Sequence, residues 1–178
     1  MKILVFSDSH GRSINIKKAI ELHQDSEHII HQGDGLCDIE SLNDICRGKA
    51  LTLVKGNAED CSMAFNNYPS ATCIDVCGQK IFLCHGHRQF VKQSKFFLID
   101  SAHKNNADIV LFGHSHARFY EYIPQDESNK GRDRGLYLFN PGSISIPRDG
   151  KAASYGIIEI KENGILFSHG NIDASLKK

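Results

Sequence analysis

Five short apolar runs in this chain each stop abruptly at a glycine with an aspartate, an asparagine or a histidine close by. "KILVF" (2–6) leads into Ser7-Asp8-Ser9-His10-Gly11, "HIIH" (28–31) into Gln32-Gly33-Asp34-Gly35, and "ALTLV" (50–54) into Lys55-Gly56-Asn57-Ala58. "KIFLC" (80–84) leads into His85-Gly86-His87, and "DIVLF" (108–112) into Gly113-His114-Ser115-His116. Runs this apolar, with no polar alternation, read as strands buried on both faces, the pattern of a parallel sheet covered by helices. Ligands of open α/β sheets bind beyond the carboxyl ends of the strands. The same feature therefore constrains the fold and says where to look for chemistry.

Helix-period segments separate the first runs. Residues 13–23 place Ile16, Ala19, Ile20 and His23 on one face, with Ser13 as the expected N-cap. Residues 38–48 place Ile39, Leu42 and Cys46 on one side and end at Gly48. This β-α-β-α-β opening predicts parallel strands with crossover helices. The pattern then changes. Residues 71–84 read as a hairpin about Gly78-Gln79 with a type II′ turn, residues 94–105 as a helix, 135–139 as a strand, and 155–169 as a hairpin about Asn163-Gly164. The polar stretch 124–134 is the clearest loop, and its "GRDR" end reads as solvent-facing. A parallel half and a mostly antiparallel half predict two packed sheets with helices outside.

The 178 residues suit one domain, 1–178, with a sizeable core, and 40% of them are hydrophobic. Lysine plus arginine equals aspartate plus glutamate at 21 each, so the charge balance points to neither nucleic acid nor an anionic membrane as partner. No apolar run reaches transmembrane length and the N-terminus lacks signal-peptide architecture, which sets the expectation of a cytoplasmic protein. The six cysteines follow no metal-site spacing and are expected to be reduced.

Singly, each strand-end signal is weak. Gly-Asp and Gly-Asn are common turn pairs, Asp8 alone fits a helix cap, and a lone histidine is most often structural. His114-x-His116 is stronger, because period-two spacing beside a strand end aims both imidazoles to one side. Together they require five coincidences at five corresponding strand ends. The donor set of two carboxylates, three or four imidazoles and an amide oxygen suits borderline divalent ions such as manganese, iron, zinc or nickel rather than calcium. It exceeds one tetrahedral zinc and matches two ions sharing a bridging carboxylate. Such a pair clamps an in-line displacement at phosphorus, with a water between the ions deprotonating near neutral pH to become the nucleophile.

The order D-x-H, G-D, G-N, H-G-H, G-H-x-H resembles the calcineurin-like metallophosphoesterase superfamily. The short length and "NPGSISIPR" (140–148) resemble its small prokaryotic YfcE-type phosphodiesterase branch. The likeness runs from residue 3 to about 160. It implies a four-layer α-β-β-α sandwich of two mixed sheets with helices on the outer faces. It implies one metal held by Asp8, His10, Asp34 and His116, and a second held by Asp34, Asn57, His85 and His114, manganese being the first expectation. His87 follows the ligand His85, and three roles stand open for it: approaching substrate, binding in an outer layer, or structure. Many relatives carry G-N-H-[DE] at the third motif, where the histidine helps protonate the leaving group. Here Ala58 takes that place and carries no proton. "NPGS" around Asn140 also reads as a plain turn. Arg12 and Arg148 are candidate phosphate contacts by type.

The expected function is a dinuclear metal-dependent phosphodiesterase acting on a small-molecule phosphodiester. The alternatives are a non-enzymatic scaffold like the retromer subunit Vps29, which loses metal-site residues, or a phosphomonoesterase, which Ala58 disfavours. Unpaired β runs near 119–123 and 135–139 are candidates for pairing between two copies in a homodimer.

Overall fold

The computed structural model describes residues 1–125 and 134–172. In chain order the elements are β1 (Lys2–Phe6), α1 (Ser13–Leu22), β2 (His28–His31), α2 (Leu36–Glu40), β3 (Ala50–Leu53), a 3₁₀ turn η1 (Met63–Phe65), β4 (Ala71–Val76) and β5 (Gln79–Cys84). They continue as α3 (Phe96–Lys104), β6 (Ile109–Leu111), β7 (Arg118–Ile123), β8 (Leu136–Pro141), β9 (Ser154–Lys161) and β10 (Gly164–Asn171).

The strands form two five-stranded sheets, ordered β10-β9-β1-β2-β3 and β4-β5-β6-β8-β7. Both are mixed. β1, β2 and β3 are parallel, with Leu4 opposite Ile29 and Ile29 opposite Leu51, while β9 runs antiparallel beside β1. In the second sheet β5, β6 and β8 are parallel and the edge strands β4 and β7 antiparallel.

Strand alternation explains the layering. Successive side chains point to opposite faces, so Ile3 and Val5 enter one core and Leu4 and Phe6 another. The first core lies between the sheets, where Ile3, Val5 and Ile30 meet Ile81, Leu83, Ile109 and Leu111 around Phe139. The second packs Leu4, Phe6 and Ile29 against Ile16, Ile20 and Ile39 of α1 and α2. The third packs Phe82, Val110 and Phe112 against Leu98 and Ala102 of α3. Three cores separate four layers, the expected α-β-β-α sandwich. Both faces of the central strands are covered, which is why their sequences show no polar alternation.

Several local readings are corrected. There is no split into a parallel and an antiparallel half, because the β9–β10 hairpin joins the N-terminal sheet. Ser13 is the first helical residue; Arg12 is the N-cap, and no side chain caps the helix. The helix read over 38–48 begins at Leu36 and ends at Glu40. Beyond it the Ser41 hydroxyl donates to Asp38 O at 2.7 Å, and the bonds Leu42 N to Ile39 O and Ile45 N to Leu42 O close tighter three-residue turns. Ile39, Leu42 and Cys46 nonetheless share one core. The β4–β5 turn is Cys77-Gly78, both at positive φ (49° and 74°), which is the type I′ signature rather than type II′. The last hairpin turns on Glu162-Asn163, with Gly164 paired to Lys161. The runs near 119–123 and 135–139 pair with each other as β7 and β8. Most of the 124–134 loop lies outside the described residues. All six cysteines are free. Among the described residues no helix is long and apolar enough to cross a membrane.

Phe139 is fully buried in the inter-sheet core and occupies space that Gly156 leaves open on β9. Phe139→Ala should lower stability by about 3–5 kcal/mol through lost burial and a cavity, measured by urea unfolding. A loss under about 1 kcal/mol would contradict this core.

Candidate metal centre

Five parallel strands present their carboxyl ends at one mouth between the two sheets. Asp8 and His10 follow β1, Asp34 follows β2, Asn57 follows β3, His85 follows β5, and His114 and His116 follow β6. Their donor atoms converge. His116 Nε2 lies 3.2 Å from Asp8 Oδ1 and 3.4 Å from His10 Nε2, and His10 Nε2 lies 3.9 Å from Asp34 Oδ2. Asp34 Oδ2 lies 3.5 Å from His85 Nε2, which is 3.2 Å from both Asn57 Oδ1 and His114 Nδ1. Asp8, His10 and His116 form one group able to hold a metal ion, and Asp8, Asp34 and His85 another.

The surroundings aim these atoms inward. His85 donates its Nδ1–H to Gln32 O at 2.7 Å and His116 donates its own to Ile146 O at 2.8 Å, which leaves both Nε2 lone pairs facing the centre. One oxygen of Asp8 accepts from the Ser7 hydroxyl at 2.7 Å and from His114 N–H at 3.1 Å. The other, Oδ1, is buried and has no hydrogen-bond partner. Such an orphan acceptor is costly unless a cation completes it. Lone pairs facing one another at this range likewise repel without a cation between them. The residues present fit a divalent metal.

Backbone strain marks the same atoms. Asp8, His10, Asp34, His114 and His116 all have φ between 42° and 64°, a region side-chain-bearing residues rarely adopt. The glycines between them allow close approach: a Cβ on Gly33, itself at φ +92°, would overlap the Gly56 backbone.

Electrostatics follow from the geometry. Burial opposes charge on Asp34, but hydrogen bonding and charge from His85 outweigh it and hold the carboxyl below the usual range. Asp8 is likewise held low against its burial by His116 and His85. Burial disfavours the charged forms of His85 and His116, yet their carboxylate neighbours, Asp34 and Asp8, raise both. His114 falls to about 4 through burial and the nearby positive charges of His85 and Lys92.

His87 stands outside the donor cluster. Its ring centroid lies 5.4 Å from that of His85 and 6.0 Å from that of His114, and its Nε2 sits 3.0 Å from Asp60 Oδ2. Arg88 grips the same carboxylate with Nη2 at 3.1 Å from each oxygen. Arg148 is exposed, but its backbone N–H donates to His116 O at 2.9 Å, so it flanks the centre. Arg12 is exposed beyond Gly11.

Residues assigned no part in the site from sequence do much of the positioning. The buried Glu59 accepts four backbone N–H groups, from Asp34, Gly35, Leu36 and Gly56, at 2.7–3.1 Å, and so ties the loop after β2 to the loop after β3. Ser143 and Ser145 donate to Asp8 O at 2.8 and 2.7 Å, and the Asn140 amide donates to Gly113 O at 2.9 Å. Behind the centre, Gly33 N–H donates to His31 Nδ1 at 3.2 Å, which puts the ring proton on Nε2, 3.1 Å from Ser9 Oγ. Ser9 donates to Asp38 Oδ2 at 2.6 Å, and the same oxygen accepts Gly11 N–H at 2.9 Å. Glu59, two residues after Asn57 in the third motif, and Asn140, Ser143 and Ser145, within "NPGSISIPR", left signals that could have been read.

The profile of the calcineurin-like phosphoesterase superfamily domain matches residues 1–163. The chain belongs to this superfamily. The protein named "Probable metallophosphoesterase YsnB" of Bacillus subtilis is 29% identical over 164 residues, 92% of this chain and 86% of the relative. "Phosphodiesterase YfcE" of Escherichia coli K12 is 28% identical over 181 residues, 89% of this chain and 88% of the relative, and it places this phosphoesterase in the YfcE-type branch. Among solved structures, a predicted phosphoesterase of Streptococcus pneumoniae superposes with a TM-score of 0.73 at 24% identity, covering 98% of this chain and 94% of that one. Entamoeba histolytica Vps29 complexed with zinc superposes at 0.66 and 20% identity, covering 97% and 100%. Family and donor cluster together support metal-dependent phosphoester hydrolysis by this calcineurin-like phosphoesterase.

His31 gives this phosphoesterase an acid-sensitive support. Burial pushes its imidazole down to about 4, below the 6.5 of a free histidine. Between these values the unfolded chain binds the extra proton, so stability falls as pH drops from 6.5 to about 4. The expected contribution is about 3 kcal/mol. Urea unfolding of wild type and His31→Gln across that window should show the wild-type advantage shrinking with acidification; a pH-independent difference would contradict it.

Proposed function

We propose that this chain is a phosphodiesterase whose site holds two divalent ions bridged by Asp34. One would be held by Asp8, His10, Asp34 and His116, the other by Asp34, Asn57, His85 and His114. The observation that carries the reading is the place of Asp34 Oδ2, within 3.9 Å of His10 Nε2 on one side and 3.5 Å of His85 Nε2 on the other. Donors about 2.0–2.2 Å from a shared ion stand roughly 3–3.6 Å apart, and most of the observed separations fall there. Manganese is the first candidate, with iron, zinc and nickel acceptable to the same donors. Bound there, the ions would supply Lewis acidity and an activated water for in-line displacement at phosphorus.

The chain's own groups prepare that chemistry. The Ala58 N–H donates to Asp34 Oδ1 at 2.8 Å, fixing the carboxylate so that Oδ2 alone faces the centre. The Gln32 and Ile146 carbonyls accept the Nδ1 protons of His85 and His116, so that in the neutral tautomer the Nε2 lone pair of each faces the centre. Arg148, beside His116, and Arg12, beyond Gly11, are the cations assigned to the non-bridging phosphoryl oxygens. His87, fixed by Asp60, supplies a rim imidazole where the side chain at position 58 offers no donor. An alanine at 58 favours esters whose leaving group needs little protonation, and the naming of the E. coli relative as a phosphodiesterase supports a diester. The likeness to Vps29 concerns the fold; seven filled donor positions favour an enzyme over a scaffold.

The test is hydrolysis of bis(p-nitrophenyl) phosphate and p-nitrophenyl phosphate, with and without manganese, by wild type and Asp34→Asn. Manganese-dependent cleavage favouring the diester is expected, falling about 100-fold or more in Asp34→Asn, which lacks the bridging charge. Metal-independent turnover, or none with either ester, would overturn the reading.

A further inference from the structure

A cavity of about 220 Å³ opens beside His10 and Asp34, on the side where Ala58 stands, with Gly35, Cys37 and Phe65 in its wall. It opens to solvent, and its size sets how much of a ligand its wall can cover. A cavity of about 150 Å³ takes benzene, whereas drug-sized ligands occupy about 300–1,000 Å³. One ring with a small substituent fits.

The wall is firm and its chemistry is one-sided. Phe65 presents an aromatic surface from η1, and its ring lies 6.2 Å from that of Tyr68, whose hydroxyl donates to Glu40 Oε1 at the end of α2 at 2.5 Å. The 3₁₀ turn is thereby tied across the cavity to the helix that carries Cys37. The carboxylates that reach the wall are already engaged. Glu59 accepts four backbone N–H groups, Asp38 accepts Ser9 and Gly11, and Asp34 Oδ1 accepts Ala58 N–H. Asp38 and Glu59, which hold no metal in the proposed site, lend their side of the space negative potential, which disfavours a second anionic group there and admits a neutral one. A side chain larger than alanine at 58 would fill this space.

We propose that this cavity is the subsite for one ester substituent of the phosphodiester, and that it selects a neutral aromatic substituent of single-ring size. The inference rests on the diesterase reading above: with the phosphoryl group at Asp34, a substituent directed to this side lies between Ala58 and Phe65. Ala58 therefore does more than forgo a proton donor, because it opens the space that sets substrate choice.

Calorimetric titration of manganese-loaded protein with phenylphosphonate and with methylphosphonate compares one anionic head with and without a ring. Wild type should bind the phenyl compound about 10-fold tighter, and both Phe65→Ala and the cavity-filling Ala58→Leu should bring that ratio toward one. Independently, phenylphosphonate should slow iodoacetamide alkylation of Cys37 several-fold, mapped by mass spectrometry, while the exposed Cys61 and Cys77 react at unchanged rates. Equal affinities, together with an unprotected Cys37, would overturn the subsite and leave the diesterase reading standing. Failure to bind either phosphonate, with no hydrolysis of bis(p-nitrophenyl) phosphate, would overturn the diesterase reading and the subsite with it.

Discussion

Two buried carboxylates, Asp8 and Asp34, each turn an oxygen toward both halves of the donor cluster, and the mouth is organised above all to hold Asp34 in place. Its backbone N–H is held by Glu59 and one oxygen by Ala58, and Gly33 on one side of it lets the loops after β2 and β3 touch. Glu59 is the key fastening. A buried carboxylate that accepts several N–H groups stays ionised, and its own pKa is held below the usual range against burial by those backbone donors. One carboxylate thus clamps the two loops that carry Asp34 and Asn57.

The sandwich pays in strain for this convergence. Each parallel strand must stop, release one or two polar side chains toward a common point and leave again, within a few residues. That is the origin of the left-handed φ values at Asp8, Asp34 and His116, and of the glycine next to five of the seven donors. The inter-sheet core and the two helix-covered cores supply the rigidity that lets such conformations persist.

The sequence shows the strands and the donors most clearly because both are local signals. Strands covered on both faces read as unbroken apolar runs, and a His, Asp or Asn beside a glycine at a strand end is visible in a few residues. Boundaries that depend on side-chain competition are less legible. The residues 41–48 carry helical apolar spacing, yet the Ser41 hydroxyl competes for the backbone and the chain closes shorter turns there. The sharing of strands between sheets was hidden as well, because β9 pairs with β1 across some 150 residues. For the same reason the support of Asp8 by Ser143 and Ser145, and the His31–Ser9–Asp38 relay, could not be read from spacing: each joins segments distant in sequence. The ring-sized space beside Ala58 depends on where Phe65 folds back, which no motif records.

The most direct test is diffraction from manganese-soaked crystals with data collected at the manganese absorption edge. Two anomalous peaks per chain, both in contact with Asp34 and each flanked by its own histidines, are the predicted result. A single peak, or peaks that leave Asp34 unbound, would contradict a bridged pair.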